Sequence, residues 1–406
     1  MKVRRCIVIF TVLLFVLTGC WNRRELSDLA IVSAFAVDKG TKENEYLVTF
    51  QIINPSENAT GVASSGGKAT PAFTVSETGT TIFEAIRKVS KKLSRQLFFA
   101  HIRLMVINEE LAKEEGILEL FDLFERSHEA RLTSNVLIAR GTDAKSIINM
   151  VTPLDNISGY VTVKKLEATE KVWSENIKVE VDDVINGIVS LGSSPVISGV
   201  RIDGDPKEGQ KKSNLESTDV PAMLEISGIA TFRGGKLVGW LDNGKAKGFM
   251  WVKNKMNSTI VRMDCKKKKG GVAIELTESK SSIKAEVHRK KTIFHVDIKE
   301  EGNVAEMNCP ADLSKSEEIK KLEKSLAIET KKEVMSAINF AQKKKVDIFG
   351  FGEVINREDP KAWEKMKKNW NADFSKAEVK VKVEAYIRRP GMIMKPYIKE
   401  VPKLQD

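Results

Sequence analysis

Few side chains in this 406-residue sequence can do chemistry: four cysteines (Cys6, Cys20, Cys265 and Cys309) and four histidines (His101, His128, His288 and His295). A zinc protease needs two histidines one helical turn apart with a glutamate beside the first. His128-Glu129 begins that pattern, but Leu132 stands where the second histidine belongs. A serine hydrolase of the elbow type needs Gly-x-Ser-x-Gly, and the sequence has none. Gly350-Phe351-Gly352 opens like a phosphate loop, yet Ile355 replaces the third glycine and a long helical pattern precedes it where a strand is required. Cys265 and Cys309 belong to no Cys-x-x-Cys pair and no Cys/His cluster, which leaves a zinc site or dithiol redox centre without ligands. Outside the cytoplasm these two thiols could instead form a disulfide. The expectation is therefore no catalytic residue, no metal and no enzymatic activity.

Cys20 has a different chemistry. Lys2, Arg4 and Arg5 precede a run, residues 6–17, that is apolar apart from Thr11, and Leu17-Thr18-Gly19-Cys20 follows at once. This is a secretory signal layout, and about a dozen apolar residues fall short of the roughly 20 that span a bilayer as a helix. The last four residues resemble a lipobox: a diacylglycerol is transferred to the thiol, the leader is cut between Gly19 and Cys20, and the new amino terminus can be acylated. Each buried lipid methylene contributes ~0.8 kcal/mol, so two or three acyl chains anchor a protein without any inserted helix.

The rest of the chain must be a folded body held by that anchor. Hydrophobic residues make up 42% and charged residues 30%, which excludes a disordered chain or a multispanning membrane protein. The net charge of +11, reduced by three once the leader is gone, suits an anionic membrane or wall polymer as well as nucleic acid and selects none of them. Ile31 to Val37 and Tyr46 to Ile53 read as a hairpin, and the Gly/Ser/Pro-rich residues 54–71 as a loop. Ile82, Ile86, Val89, Leu93 and Leu97 have helical spacing, with a buried strand expected over Phe98 to Ile107. Asn108 caps a helix with Leu111, Leu118, Phe121 and Phe124 on its apolar face. A strand over Asn135 to Ala139, a helix over Asp143 to Met150, a helix over Val179 to Val189 and a strand over Val196 to Ile202 complete an α/β pattern.

Residues 203–219 read as a boundary, and residues 222–253, punctuated by glycine, as short strands. Three strand-like runs occupy residues 271–300. Ser314, with Glu317 three residues on, caps a helix approaching 30 residues, by the spacing of Ile319, Leu322, Leu326, Val334, Ile338 and Ala341. A short helix carrying Trp363 and Trp370 and a half-exposed strand, Glu378 to Arg388, close the pattern. Those two indoles fall on one helical face and could form an interface, although core packing uses the same spacing. The basic run Lys266 to Lys269 reads as a solvated hairpin tip. The fold class is α+β, with mixed sheets and packed helices divided as leader 1–19, an α/β domain 20–205, a β-rich middle domain 206–262 and a C-terminal domain 263–406.

Several stretches resemble one known family. Cys20-Trp21-Asn22-Arg23-Arg24-Glu25-Leu26 with Ala36-Val37-Asp38 is similar to the mature start of the Ger(x)C spore germination lipoproteins. Ile53-Asn54-Pro55, Phe83-Glu84-Ala85-Ile86-Arg87, Phe98-Phe99-Ala100-His101, Gly228-Ile229-Ala230, Lys236-Leu237-Val238-Gly239-Trp240-Leu241, Asp347-Ile348-Phe349-Gly350-Phe351-Gly352 and Pro360-Lys361-Ala362-Trp363 follow in family order. The resemblance implies an α+β fold in three domains. It also implies the C subunit of a nutrient germinant receptor on the outer face of the inner spore membrane, with A and B membrane subunits and membrane lipid as partners. It implies no nucleic-acid partner, and no cofactor beyond the covalent diacylglycerol and N-acyl lipid on Cys20. A solute-binding lipoprotein of a transporter is the alternative of similar length, though its paired doubly wound lobes are not evident. A wall-remodelling enzyme is a third reading, without a catalytic motif to support it.

Overall fold

The computed structural model describes residues 25–54, 70–126, 131–154, 157–265, 268–288, 291–308 and 311–389, together with Arg4. Among them, thirteen strands form two sheets. The first sheet contains β1 (Leu29–Lys39), β2 (Tyr46–Ile53), β3 (Ala72–Gly79), β4 (Gln96–Phe98), β5 (Leu104–Asn108), β6 (Asn135–Ala139), β7 (Val196–Gly204), β8 (Ala222–Arg233) and β9 (Lys236–Leu241). Its order is β3-β2-β1-β5-β6-β7-β8-β9, with β4 beside the start of β1. The centre, β1-β5-β6-β7, is parallel, and both flanks are antiparallel.

A strand covered on both faces should be apolar throughout, and β1 is buried along almost its whole length. Val32, Phe35 and Val37 enter the larger core, while Ala34 and Ala36 face a second one with Leu104, Val106, Leu137 and Ala139. A bulge between Val32 and Ala34 shifts the alternation by one residue, which is why an even and then an odd position share a face. The second face has small residues because the helix Ser158–Val172 comes close: a Cβ on Gly159 would stand 2.8 Å from that of Ala34.

The second sheet is β10 (Ile260–Cys265), β11 (Lys268–His288), β12 (Lys291–Met307) and β13 (Glu378–Arg389), in that order. β12 and β13 are parallel, the rest antiparallel. The 29-residue helix Ser316–Lys344 packs on it through Leu326, Thr330, Val334, Ala337, Ile338 and Ala341, all buried.

The α+β class with mixed sheets stands, and the hairpin and the strand Asn135–Ala139 occupy their expected positions. Several boundaries differ. The first helix stops at Val89, because Lys91 to Leu93 turn the chain so that Leu97 can enter β4. The strand expected over Phe98 to Ile107 is two short strands separated by a turn. The helix capped by Asn108 ends at Glu114 and resumes as Leu118–Phe121 and Asp122–Arg126, interrupted at Gly116 with its φ of +95°. Residues 244–252 are a helix where strand was expected. The segment 206–262 contributes β8 and β9 to the first sheet beside β7, and β10 to the second. The long helix begins one residue late: Lys315 is its cap, and the Ser314 hydroxyl donates to Asp312 instead.

Candidate functional site

A recess of about 980 Å³ lies between the helix Ser158–Val172 and the β7-β8 pair, at the carboxyl end of β6. Open α/β sheets bind ligands at such ends. Arg140, which follows β6, donates to Asp242 through both terminal nitrogens (2.6 and 3.1 Å) and to Ser227 Oγ (3.2 Å). Its guanidinium carbon lies 4.4 Å from the ring centre of Trp240, whose indole N–H donates to Glu109 at 2.9 Å. Burial pushes the Glu109 carboxyl up, but Lys113, Trp240 and the Gly141 amide outweigh it and hold the group below its usual range. Lys165 donates to the Leu224 carbonyl at 2.7 Å, and Arg201 pairs with Glu225 at 2.8 Å. The cations of this recess are thus already engaged. Gly228, with φ +69°, makes the arrangement possible: a Cβ there would stand 2.5 Å from Asp242 Oδ1.

Two further clusters join the two sheets. In the first, Asp347 is buried and accepts four hydrogen bonds: from the amides of Phe349 (3.1 Å), Gly350 (2.9 Å) and Gly352 (2.8 Å), and from Trp370 Nε1 (2.9 Å). Burial raises its pKa and these donors oppose the rise. Its own carbonyl accepts from the Ser194 amide at 2.7 Å, which draws residues 190–194 onto the helix Phe351–Glu358. The contact is so close that a Cβ on Gly352 would stand 2.6 Å from the Cα of Gly192. Trp363 and Trp370 meet edge to face at 5.5 Å, on two separate helices, Pro360–Met366 and Trp370–Phe374. Both are buried, so the interface expectation gives way to core packing: these indoles wall the glycine contact.

The second cluster is on β12 and the long helix. Glu300 is fully buried and accepts from the Thr330 hydroxyl at 2.8 Å, with the Trp251 indole close by. Burial pushes its carboxyl up to about 8. Glu333, one helical turn on, is raised to about 7 by burial, partly offset by Lys247. Lys247 itself donates to the Ile260 carbonyl at 3.0 Å and lies 4.5 Å from the Trp173 ring centre.

Of the residues singled out from sequence, Gly19, Cys20, His128 and Cys309 lie outside the described residues, as do Lys266 and Lys267 of the Lys266 to Lys269 run. Cys265 ends β10. His101 is exposed beside Phe98, and His288 and His295 flank Glu286 at 3.8 and 3.3 Å. Among the described residues no three His, Cys, Asp or Glu side chains converge as metal ligands, and no helix is long and apolar enough to cross a membrane. Asp38, in the Ala36-Val37-Asp38 stretch, has its role revealed only by the fold. It is raised to about 6 by burial and accepts from the amides of Ala144 (2.7 Å) and Lys145 (2.9 Å), holding the start of the helix Ala144–Asn149. Arg140, Asp242, Glu300 and Glu333 carried no sequence signal of their own, because each acquires its partner from a distant element.

The fold and these clusters define a two-sheet α+β protein whose buried polar groups join its parts. Comparison with known proteins assigns it further. Residues 22–202 match the model of the spore germination protein N-terminal domain, and residues 227–391 that of the spore germination B3/GerAC-like C-terminal region. The chain is 36% identical to spore germination protein KC of Bacillus subtilis over 97% of its length and 98% of the relative's. It is 24% identical to spore germination protein B3 of the same organism, over 94% and 97%. The crystal structure of the GerBC protein superposes with a TM-score of 0.54 at 19% identity, covering 87% of this chain and 96% of that one, a likeness of fold. The chain belongs to the GerAC-like, or Ger(x)C, family of spore germination proteins.

Proposed function

We propose that this protein is a lipid-anchored subunit of a spore nutrient germinant receptor, acting by assembly with A and B membrane subunits rather than by catalysis. The observation that carries the reading is similarity to spore germination proteins along nearly the entire chain, combined with Leu17-Thr18-Gly19-Cys20 ahead of the folded body. Acylation of Cys20 confines the body to the outer face of the inner spore membrane. Confinement raises its effective concentration for membrane partners, so weak docking suffices. The engaged cations of the large recess favour a supporting role over solute capture.

The test is dipicolinate release from spores lacking this gene, across a panel of nutrients, with the restored gene as control. Selective loss for some nutrients is expected. Release that stays normal for every nutrient, in spores also stripped of related receptors, would sink the reading. Cys20→Ala should impair the response most at low expression. A soluble Cys20→Ala chain supporting normal germination at native expression would refute the anchoring part.

A further inference from the structure

The parallel registers set the amino-terminal ends of β1 and β4 level, Leu29 with Gln96, at one pole of the first sheet, with the start of β5 beside Ala34, five residues along β1. The described chain enters β1 there, from Glu25, five residues after Cys20. Five residues span ~18 Å at full extension, so a lipid on Cys20 keeps this pole close to the bilayer. Leu29 pairs with Gln96, which sets the turn from Lys91 to Arg95 against the entering chain. Lys91, Arg95 and Arg103, the last just before β5, are exposed and have no ion-pair partner among the described residues, whereas Lys92 is held by Glu77 at 2.9 Å. Phe73, at the start of β3, is 44% exposed beside a shallow recess of about 240 Å³ that includes Ile52, Ile53 and Leu93. The acidic Glu25 and Asp28 at the entry are matched in sequence by Arg23 and Arg24. On the far side of β6 the row turns acidic at Glu180, Asp182 and Asp183, which marks the limit of the basic surface.

We infer that this pole, through Lys91, Arg95, Arg103 and Phe73, seats on an anionic phospholipid surface. The inference rests on the anchored reading above and adds which end of the body meets the bilayer. Three cations with no ion-pair partner among the described residues are attracted to an anionic leaflet within a Debye length of ~8 Å, a separation that a tether of at most ~18 Å leaves within reach. A half-exposed aromatic beside them suits the headgroup layer. The opposite pole, with the Arg140 recess, then faces away from the membrane.

The probe is the mature chain from Cys20, made without its leader and so without lipid, partitioned onto vesicles of phosphatidylglycerol or phosphatidylcholine. Preference for phosphatidylglycerol is expected, with K91E/R95E/R103E weakening it roughly a hundredfold and F73S a few-fold. An equal reversal at the other pole, K42E/K207E/K212E, should weaken it less than about threefold. Equal loss in both triple variants, or no preference between lipids, overturns the inference. Should the first triple variant fold poorly by circular dichroism, K91Q/R95Q, expected to lose roughly tenfold, decides in its place. Flotation of the processed, lipidated chain with vesicles in molar salt reads the anchor separately, so failure there falls on the anchor and not on this surface.

Discussion

Asp347 and Glu300 are both carboxylic acids without access to water, and both sit where the two sheets are joined, yet their surroundings differ in kind. Asp347 accepts from three amides and an indole. Glu300 has one hydroxyl, from Thr330, and one oxygen with no hydrogen-bond partner among the described residues. A buried charge is tolerated in proportion to the donors aimed at it. Donors from Phe349, Gly350 and Gly352 exist because the chain turns tightly around Asp347, with Gly350 at φ +80°. Glu300 lies mid-strand, where the amides are engaged in the ladder with β11 and β13. Burial raises both carboxyls, and local backbone shape, more than depth, decides which acid is wrapped by donors and which is left with one hydroxyl.

Removing each acid sharpens that contrast. Asp347→Ala leaves four buried donors without an acceptor and should cost about 4 kcal/mol or more, read as a fall in the urea midpoint. A loss below about 1 kcal/mol would mean that the turn holds itself. Gly352→Ala forces a methyl against the backbone of Gly192 and should cost about 2–3 kcal/mol; an unchanged midpoint would show that residues 190–194 yield freely.

Glu300 predicts the reverse sign. Its folded pKa is raised to about 8, and that of Glu333 to about 7, above the ordinary carboxyl value of 4.5. Between those values the folded state binds more protons than the unfolded one, so stability should fall as pH rises from about 5 to about 8. Glu300→Gln should stabilise the protein at pH 8, on the order of 1–3 kcal/mol, and do little at pH 5. Thermal melts at the two pH values check this, and equal effects at both would show that Glu300 is ionised when folded. Smallest is Thr330→Val, expected to cost about 1 kcal/mol at pH 6, where Glu300 is neutral and loses a single hydrogen bond.

Much of the architecture was legible because burial writes itself into short patterns. The alternation of Val379, Val381, Val383, Ala385 and Ile387 marked β13, and the long apolar stripe marked Ser316–Lys344. The helix Gly244–Val252 was misread because it is buried on every side from Ala246 to Val252, so no amphipathic period survives, and its glycines imitate turns. Those glycines are small for a reason the sequence hides: a Cβ on Gly244 would stand 3.0 Å from Glu333 Cγ. The signature stretch Asp347 to Gly352 was visible, but its purpose needed Gly192 and Trp370, which only the fold brings to it. Similarly, the spacing of Trp363 and Trp370 suggested one helical face, whereas a short 3₁₀ turn, Lys367–Asn369, divides them and turns both inward.

The parallel pairing of β12 with β13 has a consequence for the order in which the molecule can be completed. A hairpin such as β11-β12 can close as soon as its second strand is delivered, but β13 reaches its place only after the long helix and the shorter helical segments that follow it have been threaded between the two strands. Until Glu378–Arg389 arrives, the outer edge of β12 and the part of the long helix that packs on β13 lie open. Closing so large a loop costs entropy that no local contact returns beforehand. A chain exported from its amino terminus would therefore spend the end of its passage with an unpaired strand edge, the interval in which a partner strand or a chaperone could most readily take hold.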